Sequence, residues 1–186
     1  VLGEELDVGD AAPVLLQVEA ARLRAGVLAP HPLAHVAHLG AQVLAAHGAD
    51  VVLNTSMTWP SRSWPLANWQ RLADALAAAG RSVAVVGKTV HSPWDQMTKT
   101  SEGLRGCVDL TNRLSLDQTW YTIAKAGLFV SCQNGLSVLS GATDTEVIVL
   151  DRSIEWSKYA LYRHEDPHFR FSIVKGSCDI YCCDSE

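Results

Sequence analysis

The sequence lacks the features of a membrane protein and of a nucleic-acid-binding protein. No stretch approaches the ~18 consecutive apolar residues of a membrane span, so at most peripheral membrane association is expected. Lys and Arg number 15 against 20 Asp and Glu, and the basic residues form no run, which argues against nucleic acid as a partner. Residues 1–10 are acidic and have the pattern of neither a signal peptide nor a basic anchor. A cytoplasmic location is the expectation.

The sequence also lacks a disulfide pattern. Its 5 cysteines are odd in number and unevenly spaced, which favours a reducing compartment. Cys178, Cys182 and Cys183 are weak candidates for metal ligands, because no partner that would complete a site can be identified. We therefore predict neither a metal ion nor a cofactor.

Two common nucleotide-binding motifs are incomplete. Gly87-Lys88-Thr89 lacks the upstream glycine of a P-loop, since Ser82 stands at that position. The spaced glycine triplet that follows the first strand of dinucleotide-binding domains is missing as well. We reject both assignments.

Short apolar segments alternate with amphipathic helices from Asp50 onward. Strands are predicted at 51–53, 82–86, 107–110, 128–131 and 146–150, and helices at 66–79, 116–126 and 136–142, with a weakly helical segment at 92–104. This alternation predicts an α/β fold with a doubly wound, Rossmann-like parallel sheet of about five strands and helices on both faces. Residues 50–160 would form this domain, preceded by a helical segment at 1–49 and followed by an irregular, Cys-containing tail at 161–186.

Two polar loops follow predicted strands. The first, Asn54–Pro65, carries hydroxyl groups and Arg62, which can bind phosphate oxygens. It could instead be a solvated loop whose hydroxyls cap the next helix above packed tryptophans. The second loop, Gln133–Ser137, contains Gly135 at a helix start that favours negative charge, although Asn-Gly alone often marks only a turn. Because the carboxyl ends of parallel strands share one edge, the loops are predicted to line one side of a phosphate-bearing ligand site.

The order and spacing of several motifs resemble the C-terminal half of glycosyltransferase family 9, the heptosyltransferase family of lipopolysaccharide biosynthesis. The motifs are Thr58…Arg62-Ser63-Trp64-Pro65…Trp69, Val85-Val86-Gly87, Asp109-Leu110-Thr111…Leu114-Ser115-Leu116, and residues 126–137. The resemblance implies one half of a GT-B fold, in which this domain binds a nucleotide-sugar donor, ADP-heptose or another nucleotide sugar. It further implies inverting, metal-independent transfer to a glycan, lipid-linked or protein acceptor.

The resemblance also implies roles for individual residues. Thr58 would contact the donor diphosphate, and Arg62, where the family usually has lysine, would neutralise its charge. The nucleoside would lie beside Gly87 and Lys88. The implied donor- and phosphate-binding residues are Ser56, Thr58, Arg62, Gln133, Asn134, Gly135, Leu136 and Ser137.

No catalytic residue is assigned, because the family's base lies in the N-terminal domain. Residues 1–49 are too short to form that domain and resemble its trailing end plus the linker. The partner implied for this chain is therefore an N-terminal GT-B domain. The C-terminal cysteines resemble part of the cysteine finger of autotransporter heptosyltransferases.

The second loop departs from the family's pattern, Asp-Ser/Thr-Gly-Leu-x-His. Gln133 replaces the carboxylate and Val138 the histidine. Gln133 can hydrogen-bond a sugar hydroxyl, but it can act neither as an anion nor as a base. These replacements leave open a non-catalytic, degenerate transferase-like module for binding or assembly. A further alternative, half of a sugar-nucleotide epimerase, would require catalytic carboxylates or histidines around the cleft.

Overall fold

The computed structural model describes residues 49–56, 63–91, 98–99, 102–151, 161 and 165–175. Its strands are β1 (Val51–Asn54), β2 (Val83–Val86), β3 (Val90–His91), β4 (Thr98–Lys99), β5 (Val108–Asp109), β6 (Leu128–Cys132), β7 (Glu146–Asp151) and β8 (Phe171–Lys175). Its helices are α1 (Leu66–Ala78), α2 (Leu116–Lys125) and α3 (Gly135–Ser140). All but the last residue of the predicted helical segment 1–49 lies outside the described residues.

Six strands form one parallel sheet in the order β5-β2-β1-β6-β7-β8, and β3 pairs with β4 in a separate antiparallel ribbon. Counted along the chain, the order within the large sheet is 3-2-1-4-5-6, which is that of a doubly wound α/β fold. The predicted fold class is confirmed. The strand order reverses between β1 and β6, so the carboxyl ends of these two strands border the crevice in which such sheets bind ligands.

Apolar layers cover both faces of the sheet. On one face, Trp69, Leu72 and Leu76 of α1 pack against alternate residues of the central strands. On the other face, Ile123 of α2 packs with Phe129 and the remaining alternate residues. Strands β1, β2, β6 and β7 are buried along their whole length, which explains why they read as nearly continuous apolar runs.

Local sequence signals set the helix ends. Ser115 and Gln118 form a reciprocal capping box at the start of α2. It satisfies two backbone amides that have no hydrogen-bond partner within the helix. After α1, Gly80 adopts a φ of 72°, a left-handed conformation that glycine reaches without steric cost.

Two expectations from the sequence are wrong. The segment 161–186, expected to be irregular, contributes β8, which pairs with β7 as a sixth strand of the sheet. The segment 92–104, expected to be weakly helical, contains strand β4 and no helix among its described residues. Short extended segments with mixed polar and apolar residues carry little periodic signal, so neither strand stood out.

Candidate functional site: the carboxyl edge of the sheet

The two predicted loops begin side by side at the point where the strand order reverses. Asn54 ends β1, and its Oδ1 accepts hydrogen bonds from the Ser56 backbone amide at 3.0 Å and from Asn134 Nδ2 at 3.1 Å. Asn134 Nδ2 also donates to Ser131 Oγ, at 3.1 Å. Asn54 therefore joins the first loop to the second across 80 residues of sequence.

Asn134 also organises the start of α3. Its side-chain oxygen accepts from the backbone amides of Leu136 (2.9 Å) and Ser137 (3.2 Å), while Ser137 Oγ accepts from the Asn134 amide at 3.0 Å. This is a capping box built on asparagine and serine. The backbone amides of Leu136 and Ser137, two of the residues implied for donor binding, are thus already engaged by Asn134. Gly135, which lies between Asn134 and Leu136, is exposed.

The first loop is fixed at both of its described ends. Thr55 Oγ1 donates to the Glu102 carbonyl at 2.6 Å and accepts from the Glu102 amide at 3.2 Å. At the other end, Trp64 is buried and packs edge-on against Trp69, with ring centroids 4.9 Å apart. Helix α1 begins after Pro65, and no described hydroxyl caps it, whereas the packed tryptophans of the alternative interpretation are present. Thr58 and Arg62 lie outside the described residues.

The predicted nucleoside side lies beyond β2, next to β1 in the sheet. The Gly87 carbonyl accepts from the Asn112 amide at 2.9 Å, and Asn112 Oδ1 accepts from the Thr89 amide at 2.6 Å. Both Gly87 (φ 143°) and Asn112 (φ 60°) have positive φ. Lys88, which follows Gly87, is exposed. The loops after β2 and β5 are therefore tied together at the same edge as the two polar loops.

Three buried polar side chains at this edge have atoms that are not hydrogen-bonded within the described residues. They are Asn54 Nδ2, Gln133 Nε2 and both carboxylate oxygens of Asp151. They stand at the ends of β1, β6 and β7, which are neighbours in the sheet. Buried polar groups without partners are uncommon in folded proteins, and they mark positions where a ligand can complete the hydrogen bonding. The three residues thus form a polar row along the edge.

Of the three residues in this row, the sequence predicts only Gln133 as a site residue. Asn54 is the first residue of the first predicted loop, and Asp151 directly follows the strand predicted at 146–150. The sequence signal for such residues is a polar residue directly after each buried apolar strand. In a parallel sheet these residues lie together at the carboxyl edge.

The described residues contain no group of three or more His, Cys, Asp and Glu side chains that could hold a metal ion. Cys178, Cys182 and Cys183 lie outside those residues. In the described part of the chain, no helix combines the length and the apolar character that crossing a membrane requires.

The parallel strand order and the helices on both faces define a doubly wound α/β domain of the Rossmann-like class. The model of glycosyltransferase family 9 (heptosyltransferase) matches residues 32–178. Because the match covers most of the chain, the chain belongs to this family. No curated protein matches it.

Solved structures support the fold at low sequence identity. The chain is similar to a family 9 glycosyltransferase from Veillonella parvula (TM-score 0.57, 11% identity), covering 81% of this chain and 43% of that one. It is similar to E. coli ADP-heptose lps heptosyltransferase II (TM-score 0.53, 16% identity, 73% of this chain and 42% of that one). It is also similar to E. coli heptosyltransferase WaaC with ADP (TM-score 0.51, 18% identity, 69% and 38%). The chain thus spans less than half of the length of each.

Proposed function

We propose that this chain is the donor-binding half of a glycosyltransferase and binds a nucleotide-diphospho-sugar along the carboxyl edge of its sheet. The observation that carries the proposal is the meeting of the two polar loops at Asn54 and Asn134, where the strand order reverses. Amide donors of Asn54 and Gln133 that have no hydrogen-bond partner among the described residues lie at this place. Amide donors are suited to phosphate and sugar oxygens.

The order of the strands supports one direction for the bound donor. The nucleoside would lie by Gly87 after β2, the diphosphate at the switch point between β1 and β6, and the sugar beyond it. The ADP bound by WaaC and the ADP-heptose specificity named for heptosyltransferase II make an adenine nucleotide the first donor to test.

Transfer would proceed with inversion and without a metal ion. As the bond between the sugar and the diphosphate breaks, negative charge grows on the leaving nucleotide diphosphate. Arg62, in the first loop, would offset this charge with a charge-assisted pair, and Thr58 would hold the diphosphate beside it. The catalytic base and the acceptor site would come from an N-terminal GT-B domain, so this chain alone would bind donor and transfer no sugar. The natural acceptor would be a glycan, lipid-linked or protein substrate, as in lipopolysaccharide assembly.

Replacing Arg62 tests the donor site. Arg62→Ala is expected to weaken binding of the preferred nucleoside diphosphate by about tenfold, because a hydrogen-bonded charge pair with the phosphates is lost. Isothermal titration with ADP, UDP and GDP measures this. Arg62→Lys should retain much of the affinity, since it keeps the charge and loses only the forked geometry.

Arg81→Ala is the matched control, because Arg81 precedes β2 at the opposite edge of the sheet and the substitution removes the same charge. Equal effects of Arg62→Ala and Arg81→Ala would reduce the role of Arg62 to a general electrostatic one. A folded chain that binds none of the three nucleotides would refute the proposed function.

The second candidate is a degenerate transferase-like module kept for binding or assembly. The replacements at Gln133 and Val138 favour it, because they remove the carboxylate and the histidine that the family pattern has in this loop. Such a module would be indifferent to Arg62→Ala, which separates it from a donor site.

A further inference from the structure

Asp151 is a buried carboxylate that the described fold leaves without a hydrogen bond. It ends β7 at the carboxyl edge and is 2% exposed, and neither of its oxygens has a hydrogen-bond partner among the described residues. Lys175 stands opposite it in register on β8. Burial raises the pKa of Asp151 to about 6, and the charge of Lys175 only partly opposes this. A buried carboxylate without a hydrogen bond weakens a fold, which favours a role toward a ligand.

Glu146, at the other end of the same strand, shows the contrast. It is equally buried, at 2% exposure, and its Oε2 also accepts no hydrogen bond from the described residues, but this oxygen lies at ion-pair distance, 3.7 Å, from Arg170 Nη1. The carboxylate at the amino edge of β7 thus has an ion-pair partner within the protein. The one at the carboxyl edge, Asp151, stands on the side of the sheet on which ligands bind in this fold class.

Gln133 lies next to Asp151 along this edge. Cys132 and Leu150 are register partners on β6 and β7, and Gln133 and Asp151 are the residues that follow them. Neighbouring strands lie about 4.8 Å apart, so the two positions are within reach of one small polar group. Gln133 Nε2 is a donor without a partner among the described residues and Asp151 supplies acceptors, a combination that matches a hydroxyl, which both donates and accepts.

Gln133 and Asp151 also lie at the part of the carboxyl edge where the proposed function places the donor sugar. The sheet runs β2, β1, β6, β7, so a diphosphate at the β1–β6 switch point would have the nucleoside side at β2 on one side, and on the other Gln133, at the end of β6, followed by Asp151. A donor that spans the edge would place its sugar against β6 and β7.

We propose that Asp151 and Gln133 together bind hydroxyl groups of a neutral, hydroxyl-rich sugar in the donor. The inference rests on the proposed function and names the sugar subsite within it. In this arrangement the carboxylate that the second loop lacks at Gln133 is provided from the adjacent strand. No covalent step is assigned to Asp151.

The test compares a bare nucleotide with its sugar conjugate. We define the sugar increment as the Kd of a nucleoside diphosphate divided by the Kd of the matching nucleotide sugar. Isothermal titration measures it for three pairs: ADP and ADP-glucose, UDP and UDP-glucose, and GDP and GDP-mannose. We expect Asp151→Asn to reduce this ratio about tenfold, while the affinity for the bare diphosphate changes less than about twofold.

Two further variants sharpen the test. Glu146→Gln removes a carboxylate of equal burial from the amino end of the same strand and should leave the sugar increment unchanged. In the Asp151→Asn background, Gln133→Asp returns a carboxylate to the neighbouring strand and should restore much of the increment, a rescue that a purely structural role of Asp151 would not produce.

The outcomes separate the two proposals. If a folded chain binds no nucleotide, the proposed function fails and the sugar subsite fails with it. If nucleotides bind but the wild-type chain shows no sugar increment, or Asp151→Asn leaves the increment unchanged, the sugar subsite alone is overturned.

Discussion

Asn134→Ala is expected to lower the free energy of unfolding by about 2 to 3 kcal/mol. The loss has two parts: the cap on α3, of order 1 kcal/mol, and the two Nδ2 bonds to Asn54 Oδ1 and Ser131 Oγ, together about 1 to 2 kcal/mol. Asn54 is fully buried, so water cannot easily replace the lost bond to its oxygen. Urea denaturation measures the change as a lower midpoint at an unchanged m-value.

Asn134→Ser divides the two contributions. Serine is about as good an N-cap as asparagine, so this variant should recover about 1 kcal/mol while leaving the connection to Asn54 broken. If the serine variant is as stable as the wild type, the Nδ2 bonds contribute nothing and the two loops are not held together by Asn134. If the alanine variant is as stable as the wild type, the cap is dispensable as well.

The central strands could be predicted because they are buried on both faces. Such strands are apolar at nearly every position, and Gly80 and the Ser115–Gln118 pair mark helix boundaries by mechanisms that act within a few residues. The order of the strands could not be derived in the same way. Pairings such as β1 with β6 join segments that are far apart in sequence, and nothing in the local pattern of either strand encodes its partner.

Part of the site followed from a general rule and part did not. The closeness of the two loops was expected, because carboxyl ends of parallel strands meet at one edge. The bond between Asn54 and Asn134 depends on side-chain geometry that no spacing reveals. Most residues of β8 are only half-buried, so its sequence lacks the apolar run of a buried strand. The pairing of Asp151 with Lys175 therefore cannot be predicted from the sequence either.

Asp151→Asn is expected to make the chain more stable above neutral pH, which is the opposite of the usual effect of a core substitution. Burial raises the pKa of Asp151 from an ordinary value of 3.8 to about 6. Strands β6 and β8 flank β7, and Lys175 on β8 is the charged side chain that they carry. Its positive charge lowers the pKa of Asp151 and so opposes the effect of burial only in part. The native state thus binds this proton more tightly than the unfolded chain, and the contribution of Asp151 to stability falls as the pH rises from about 4 to about 6.

Above that range the ionised carboxylate costs about 2 to 3 kcal/mol, the free-energy equivalent of the difference in pKa. The asparagine side chain cannot ionise, so we expect a gain of that size for Asp151→Asn at pH 8 and almost none near pH 4, measured by urea denaturation at both values. Glu146→Gln should instead destabilise the chain at pH 8, because it removes the ion pair with Arg170. An Asp151→Asn gain that does not vary with pH would show that the carboxylate is not the cause. A variant that is more stable and yet binds the donor sugar less tightly would indicate that Asp151 is retained for its ligand and not for the fold.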